Sequence, residues 1–184
     1  MTGVDQEPWP DPPLTGDDAT SIVAALERQR ATLAWKCGGL DAAGLRATTA
    51  ASTISLGGLL KHLALVEGNT FTRRIGGREM PPPWNAVDWD ADPDWEWRSA
   101  ADDTPEQLYT LWREAVARSR DALDEALAGG DMDQLVTTMT DDEGRSPSLR
   151  RVMLDTLEEY ARHVGHADII RESVDGLGGE DRPH

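Results

Sequence analysis

The sequence holds a single cysteine, Cys37. One thiol excludes an internal disulfide and any multi-cysteine zinc or iron–sulfur site. Basic charge is scarce too. Lysine and arginine together number 18 against 34 aspartates and glutamates, for a formal net charge of −16. A field of that sign repels phosphate backbones and anionic lipid surfaces, so neither nucleic acid nor a membrane is expected as a partner. No apolar run approaches the length of a membrane span. No basic start followed by an apolar stretch opens the chain, so secretion is not signalled and a cytoplasmic location is expected. Strand-like alternation is missing, and no internal repeat is visible.

Tryptophan is what the sequence has in quantity: seven, beside one phenylalanine and two tyrosines. Lys36 and Lys61 are the only lysines; arginine carries nearly all the basic charge. Together with the abundant alanine, that bias is what a GC-rich genome produces. The 184 residues suffice for one domain with a sizeable core.

Read for periodicity, the chain predicts four long helices. Residues 1–16, rich in proline, form an extended lead-in to a domain spanning 17–178, and 179–184 form a tail. The first helix starts at Asp17 or Asp18, carries Ile22, Leu26, Leu33, Cys37 and Leu40 on one stripe, and ends at Gly38-Gly39. The second runs from Ser55 to Ile75, with Leu56, Leu59, Leu60, Leu63 and Val66 inward. Gly57-Gly58 near its start costs about 1 kcal/mol each against alanine, which close approach of a neighbouring element would explain. Thr104-Pro105-Glu106-Gln107 opens the third with a capping box and proline at N1. Its stripe includes Leu108, Trp112, Ala115, Ser119 and Leu123, and Gly129-Gly130 ends it. The fourth is expected to start with Ser146 as N-cap and Pro147 at N1, and to reach Val174. Between the second and third helices, residues 77–103 lack any period but hold Trp84, Trp89, Trp95 and Trp97. A long loop so rich in tryptophan is expected to be structured and laid over the bundle. The fold class is thus all-α, a four-helix bundle with a long Trp/Pro-rich crossing loop.

The histidines carry the chemistry. Glu159, His163 and His166 fall on one helical face, beside the inward residues Thr156, Tyr160 and Ile170. His62 lies one turn from Leu59 and Val66, so it too flanks an inward face. Imidazoles and a carboxylate converging from facing helices are how bundles build metal sites, and this set suits zinc first, with nickel or iron as alternatives. The bland reading is a helical ion pair and a satisfied core histidine. The order Glu-x-x-x-His-x-x-His is not the His-Glu-x-x-His of metalloproteases. Cys37, on an inward stripe, reads as a small buried hydrophobe. The acidic run Asp88–Asp94 reads as solvated, without EF-hand spacing.

The segments Trp35-Lys36-Cys37-Gly38-Gly39-Leu40, Leu59-Leu60-Lys61-His62-Leu63-Ala64-Leu65-Val66-Glu67, Pro82-Pro83-Trp84 and Glu158-Glu159-Tyr160-Ala161-Arg162-His163-Val164-Gly165-His166-Ala167-Asp168 resemble the DinB-like (YfiT-like) metal-binding four-helix bundles. The resemblance is to the actinobacterial branch named for a mini-circle protein, and extends to mycothiol-dependent maleylpyruvate isomerases. It covers residues 18–178. It implies a divalent metal held by His62, Glu159 and His163. Relative to the superfamily's usual last helix, Glu159 replaces a histidine and His166 a glutamine. His166 is then either a fourth ligand or a group that shuttles a proton or orients a ligand. Relatives join a low-molecular-weight thiol such as mycothiol to a small electrophile, and many are homodimers. The resemblance thus implies a metal-dependent S-transferase, with Trp84 walling the pocket for the thiol co-substrate. Arg73 or Arg74 could meet an anionic group, although both read more simply as solvated helix-end charges. The other tryptophans of the loop are expected to pin it rather than stack on a ligand. Two other classes stay open: a stress-associated metal- or small-molecule-binding protein without turnover, and a purely structural module.

Overall fold

The first helix begins where the sequence offers a cap. Asp17 takes extended backbone and its carboxylate accepts from the Thr20 amide at 2.8 Å, opening α1 (Asp18–Cys37). The computed structural model describes residues 10–49 and 52–179. The expected lead-in therefore lies largely outside the described residues, as does the tail beyond residue 179, with His184. Residues 10–16 are non-helical, and the Pro10 carbonyl accepts from Arg28 at 2.9 Å.

After α1 comes a five-residue helix that the periodicity did not reveal, α2 (Ala42–Arg46), capped by Asp41. Five residues are too few to show a repeat. Helix α3 (Leu56–Glu67) buries Leu56, Leu59, Leu60 and Leu63, as the stripe predicts. It does not continue as an α-helix to Ile75. From Gly68 to Ile75 the winding widens to a π-helix. A side-chain pattern cannot separate two windings over eight residues, so this correction was out of reach of the sequence. Gly76 and Gly77 end the segment, Gly77 with φ +61°.

The crossing region contains a 3-10 turn (Trp84–Ala86) and a short helix, α4 (Trp95–Ser99), where no element was expected. Helix α5 (Pro105–Gly129) starts with the expected capping box: Thr104 and Gln107 exchange bonds of 3.2 and 2.8 Å. Helix α6 (Leu149–Asp175) starts later than expected, with Ser148 rather than Ser146 as N-cap. The cause is pairing with the preceding connection. The Pro147 carbonyl accepts from Val136, while the Leu149 and Arg150 amides donate to Gln134 and Met132, each at 2.8 Å. Pro147 is engaged there, and two orphan donors of the first turn are satisfied. Gly176, at φ +79°, closes α6.

α1 packs along α6, and α3 with its π continuation packs along α5. This is the all-α four-helix bundle, with no β-strand among the described residues. No helix among them is long and apolar enough to cross a membrane. A charged network sits inside. Arg30 donates to both oxygens of Glu67 at 2.8 and 2.7 Å, Tyr160 Oη donates to Glu67 Oε1 at 2.5 Å, and Trp112 donates to Tyr160 Oη at 3.1 Å. Four helices share that chain of bonds.

Candidate metal centre

α4 meets α3 because Gly58 has no side chain. A Cβ there would sit 3.0 Å from the Trp97 ring, so the glycine is what allows the contact. Gly57 likewise lies where a Cβ would press on Leu108 at 3.1 Å. Close approach thus accounts for the costly glycine pair. Lys61 holds the same junction: it pairs with Asp103 at 2.5 Å and lies 4.4 Å over the Trp95 ring. With α4 seated, Trp97 stacks on His62 at 4.4 Å between centroids and 21° between planes. Glu96 reaches the other side, its Oε1 3.2 Å from His62 Nδ1.

On α6, Glu159 and His163 lie one turn apart. Both histidines aim Nε2 at the same carboxylate oxygen: His62 at 3.1 Å and His163 at 3.0 Å from Glu159 Oε1. One ligand atom from each of the three residues lies within 4.8 Å of the other two. Donors about 2 Å from a shared ion stand at most about 4 Å apart, so the cradle would tighten slightly around one. His166 is not part of that cluster. It approaches His163 from behind, with the two Nδ1 atoms 3.4 Å apart.

Proton accounting favours a cation in this cradle. His62 stands between two carboxylates, one at each nitrogen. A neutral imidazole has one N–H and can serve only one of them, whereas a ring carrying protons on both nitrogens serves both. If Nδ1–H donates to Glu96, the Nε2 lone pair faces Glu159, an acceptor facing an acceptor. A second ring proton would remove the conflict, and so would a metal ion between them, with the Glu96 carboxylate then fixing the ring. His163 meets Glu159 through Nε2 and His166 through Nδ1, so an Nδ1–H donated to His166 would leave the Nε2 lone pair for an ion. Electrostatics agree. Burial pushes the Glu159 carboxyl up, but its bonds to His62 and His163 outweigh that and leave it below its ordinary value, ionised at neutral pH. Burial, aided by the neighbouring His62, holds His163 below the usual imidazole range despite Glu159. An ionised carboxylate beside a neutral imidazole is what a divalent cation requires.

The fifth sequence candidate, Trp84, lies elsewhere. Trp84 is buried and lines a cavity of about 310 Å³ with Leu65, Asn69, Arg73, Met80 and Trp89. It therefore walls a pocket, whose lining shares none of its residues with the cluster. Trp97, expected only to pin the loop, is the ring on His62, and Trp89 also lines the cavity. Glu96 went unrecognised: it sits in a stretch without period, flanked by two tryptophans, and only the fold of α4 brings it to His62. Cys37 is fully buried, and burial pushes its thiol up to about 12, so it is no nucleophile.

Among curated proteins, none matches the chain. A family model described as Mycothiol-S-transferase matches residues 21–176, most of the chain and all four long helices but the first turn of α1. The chain accordingly belongs to the Mycothiol-S-transferase family, within the DinB/YfiT-like superfamily.

Proposed function

We propose that His62, Glu159 and His163 hold a divalent cation, zinc by preference, and that the protein is a metal-dependent S-transferase joining a mycothiol-type thiol to a small electrophile. The observation that carries this is the convergence of two Nε2 atoms on one Glu159 oxygen, with Glu96 behind His62. A divalent cation there lowers the pKa of a thiol, ordinarily about 8.5, so that the nucleophilic thiolate prevails near neutrality.

The chain's own residues do the rest. Glu96 fixes the His62 ring and its tautomer, and Trp97 covers one face of that ring. His166 orients His163 through Nδ1. Glu159 and His62 keep part of their surface in solvent, which leaves an approach for the thiol and a route for its proton to water. The sulfur then forms a bond to the electrophilic carbon, whose leaving group departs with its electron pair. Holding both reactants in one cleft supplies the proximity term.

Elemental analysis and thiol consumption test this together. The purified protein should carry one equivalent of metal after loading, and His62→Ala should lose it. Loaded protein should consume thiol against an electrophile panel, and a chelator should abolish that. Absence of stoichiometric metal removes the centre. Metal without thiol consumption makes the protein a binder rather than an enzyme.

A further inference from the structure

The cavity beside the centre has an unusual lining for so acidic a chain. None of its residues is a carboxylate. Its walls are Leu65, Met80, Trp84 and Trp89, an apolar and aromatic set. Its polar groups are Asn69, the Arg73 guanidinium and the Trp84 indole. Trp84 is 2 % exposed, and its Nε1–H has no hydrogen-bond partner. A buried donor left unpaired costs about 1–3 kcal/mol, so a partner supplied by a ligand would be a gain. Arg73 makes no ion pair with a carboxylate among the described residues, although the chain carries 34 acids. Guanidinium and indole N–H only donate, and the Asn69 amide oxygen is the one side-chain acceptor beside them. A neutral polyol, which offers as many donors as acceptors, is matched poorly by such a set. A carboxylate, which only accepts, is matched well, and charge-assisted bonds to it are the strong kind.

We infer that this cavity seats a small organic carboxylate, its apolar or aromatic body between Trp84, Trp89, Met80 and Leu65 and its carboxylate at Arg73 and Trp84 Nε1. The volume, at the lower end of small-molecule sites, admits a body of one or two rings. Leu65 on α3, and Asn69 and Arg73 on its π continuation, follow His62 by three, seven and eleven residues, so Arg73 is the lining residue of that element farthest along it from the centre. A carboxylate anchored at its far end directs the opposite end of the molecule toward His62. Under the transferase reading, on which this identification of the ligand as substrate rests, the electrophile is therefore an acid, anchored by its carboxylate away from the carbon that reacts. The thiol then approaches from the solvent side of Glu159.

Calorimetric titration separates this from the metal question, because the cavity contains none of the three cluster residues. The probes are 2-naphthoate, its neutral isostere 2-naphthamide, and myo-inositol as a polyol. The protein is used both metal-loaded and chelator-treated. The acid should bind at least about tenfold more tightly than the amide, in both states. Arg73→Gln, an exposed substitution that leaves the fold intact, should erase that preference while keeping amide affinity within about twofold. Trp84→Phe should weaken the acid more than the amide. Equal affinity for acid and amide overturns the inference, as does an acid affinity indifferent to Arg73→Gln. Failure of all probes to bind overturns it too, and inositol binding sensitive to Arg73→Gln gives the cavity to a polyol instead. Loss of metal binding in wild-type protein with the acid preference intact would sink the proposed activity and leave this site standing.

Discussion

Glu96 is the residue on which the centre's geometry turns without being one of its three donors. It is 5 % exposed, its Oε1 lies 3.2 Å from His62 Nδ1, and its Oε2 has no partner. Carboxylates in this position typically contribute ten- to hundredfold to metal affinity by orienting the imidazole. Glu96→Ala should thus weaken zinc binding by about ten- to hundredfold, read by competition with a chromogenic chelator, while Glu96→Gln, which can still accept Nδ1–H, should fall between. Unchanged affinity in Glu96→Ala would make Glu96 filler. The candidate donors themselves were legible, because His62, Glu159 and His163 sit in long helices where spacing predicts a shared face. Glu96 was not, because a five-residue helix imposes no period. Trp97 escaped for the same reason.

At the scale of elements, the bundle is registered by a buried charge. Arg30 of α1 and Glu67 of α3 are almost fully buried and bonded in a fork, and Tyr160 of α6 joins them. Tyr160 is the neighbour of Glu159, so this chain of bonds also sets where the α6 part of the centre stands against α3. Removing one partner leaves the other charge desolvated. Arg30→Ala should therefore cost about 3–5 kcal/mol in urea unfolding. Arg78→Ala breaks a pair with Glu125 that is exposed on both sides, and should cost under about 1 kcal/mol. Comparable losses for the two would refute a structural role for the buried fork. Helices α1 and α5 could be read in advance because their caps and stripes agree. The start of α6 could not, because Ser146-Pro147 is as good a local signal as Ser148, and backbone pairing with residues 132–136 decided between them. The π winding after Glu67 leaves no trace in composition.

The whole molecule carries a net charge of −16, and several of its carboxylates are held below their ordinary values. Asp17 is held below its ordinary value by its bonds to Thr20, and Asp175 by its bond to Arg171. Glu159 is lowered by its two histidines against the opposing effect of burial. A carboxyl whose value is lowered on folding stabilises the native state above its unfolded value, near 4, and loses that contribution as pH falls through the folded one. His163 is shifted down chiefly by burial. Above about pH 6.5 it is neutral folded or unfolded and contributes nothing. Below that the unfolded chain takes up a proton first, so stability falls with falling pH until the folded value is passed. Charge repulsion works against both, since acidification toward the isoelectric point near pH 4.5 relieves it. Physiological salt, with a screening length of about 8 Å, reduces that opposing effect for exposed charges more than for the half-buried cluster. In chelator-treated protein at that salt, Tm should therefore be flat above about pH 7, decline gently below about pH 6.5, and drop steeply below about pH 4. His163→Gln should remove the gentle decline and keep the steep one. A Tm that rises steadily from pH 7 to pH 5 would show repulsion, not the buried imidazole, governing the acid response.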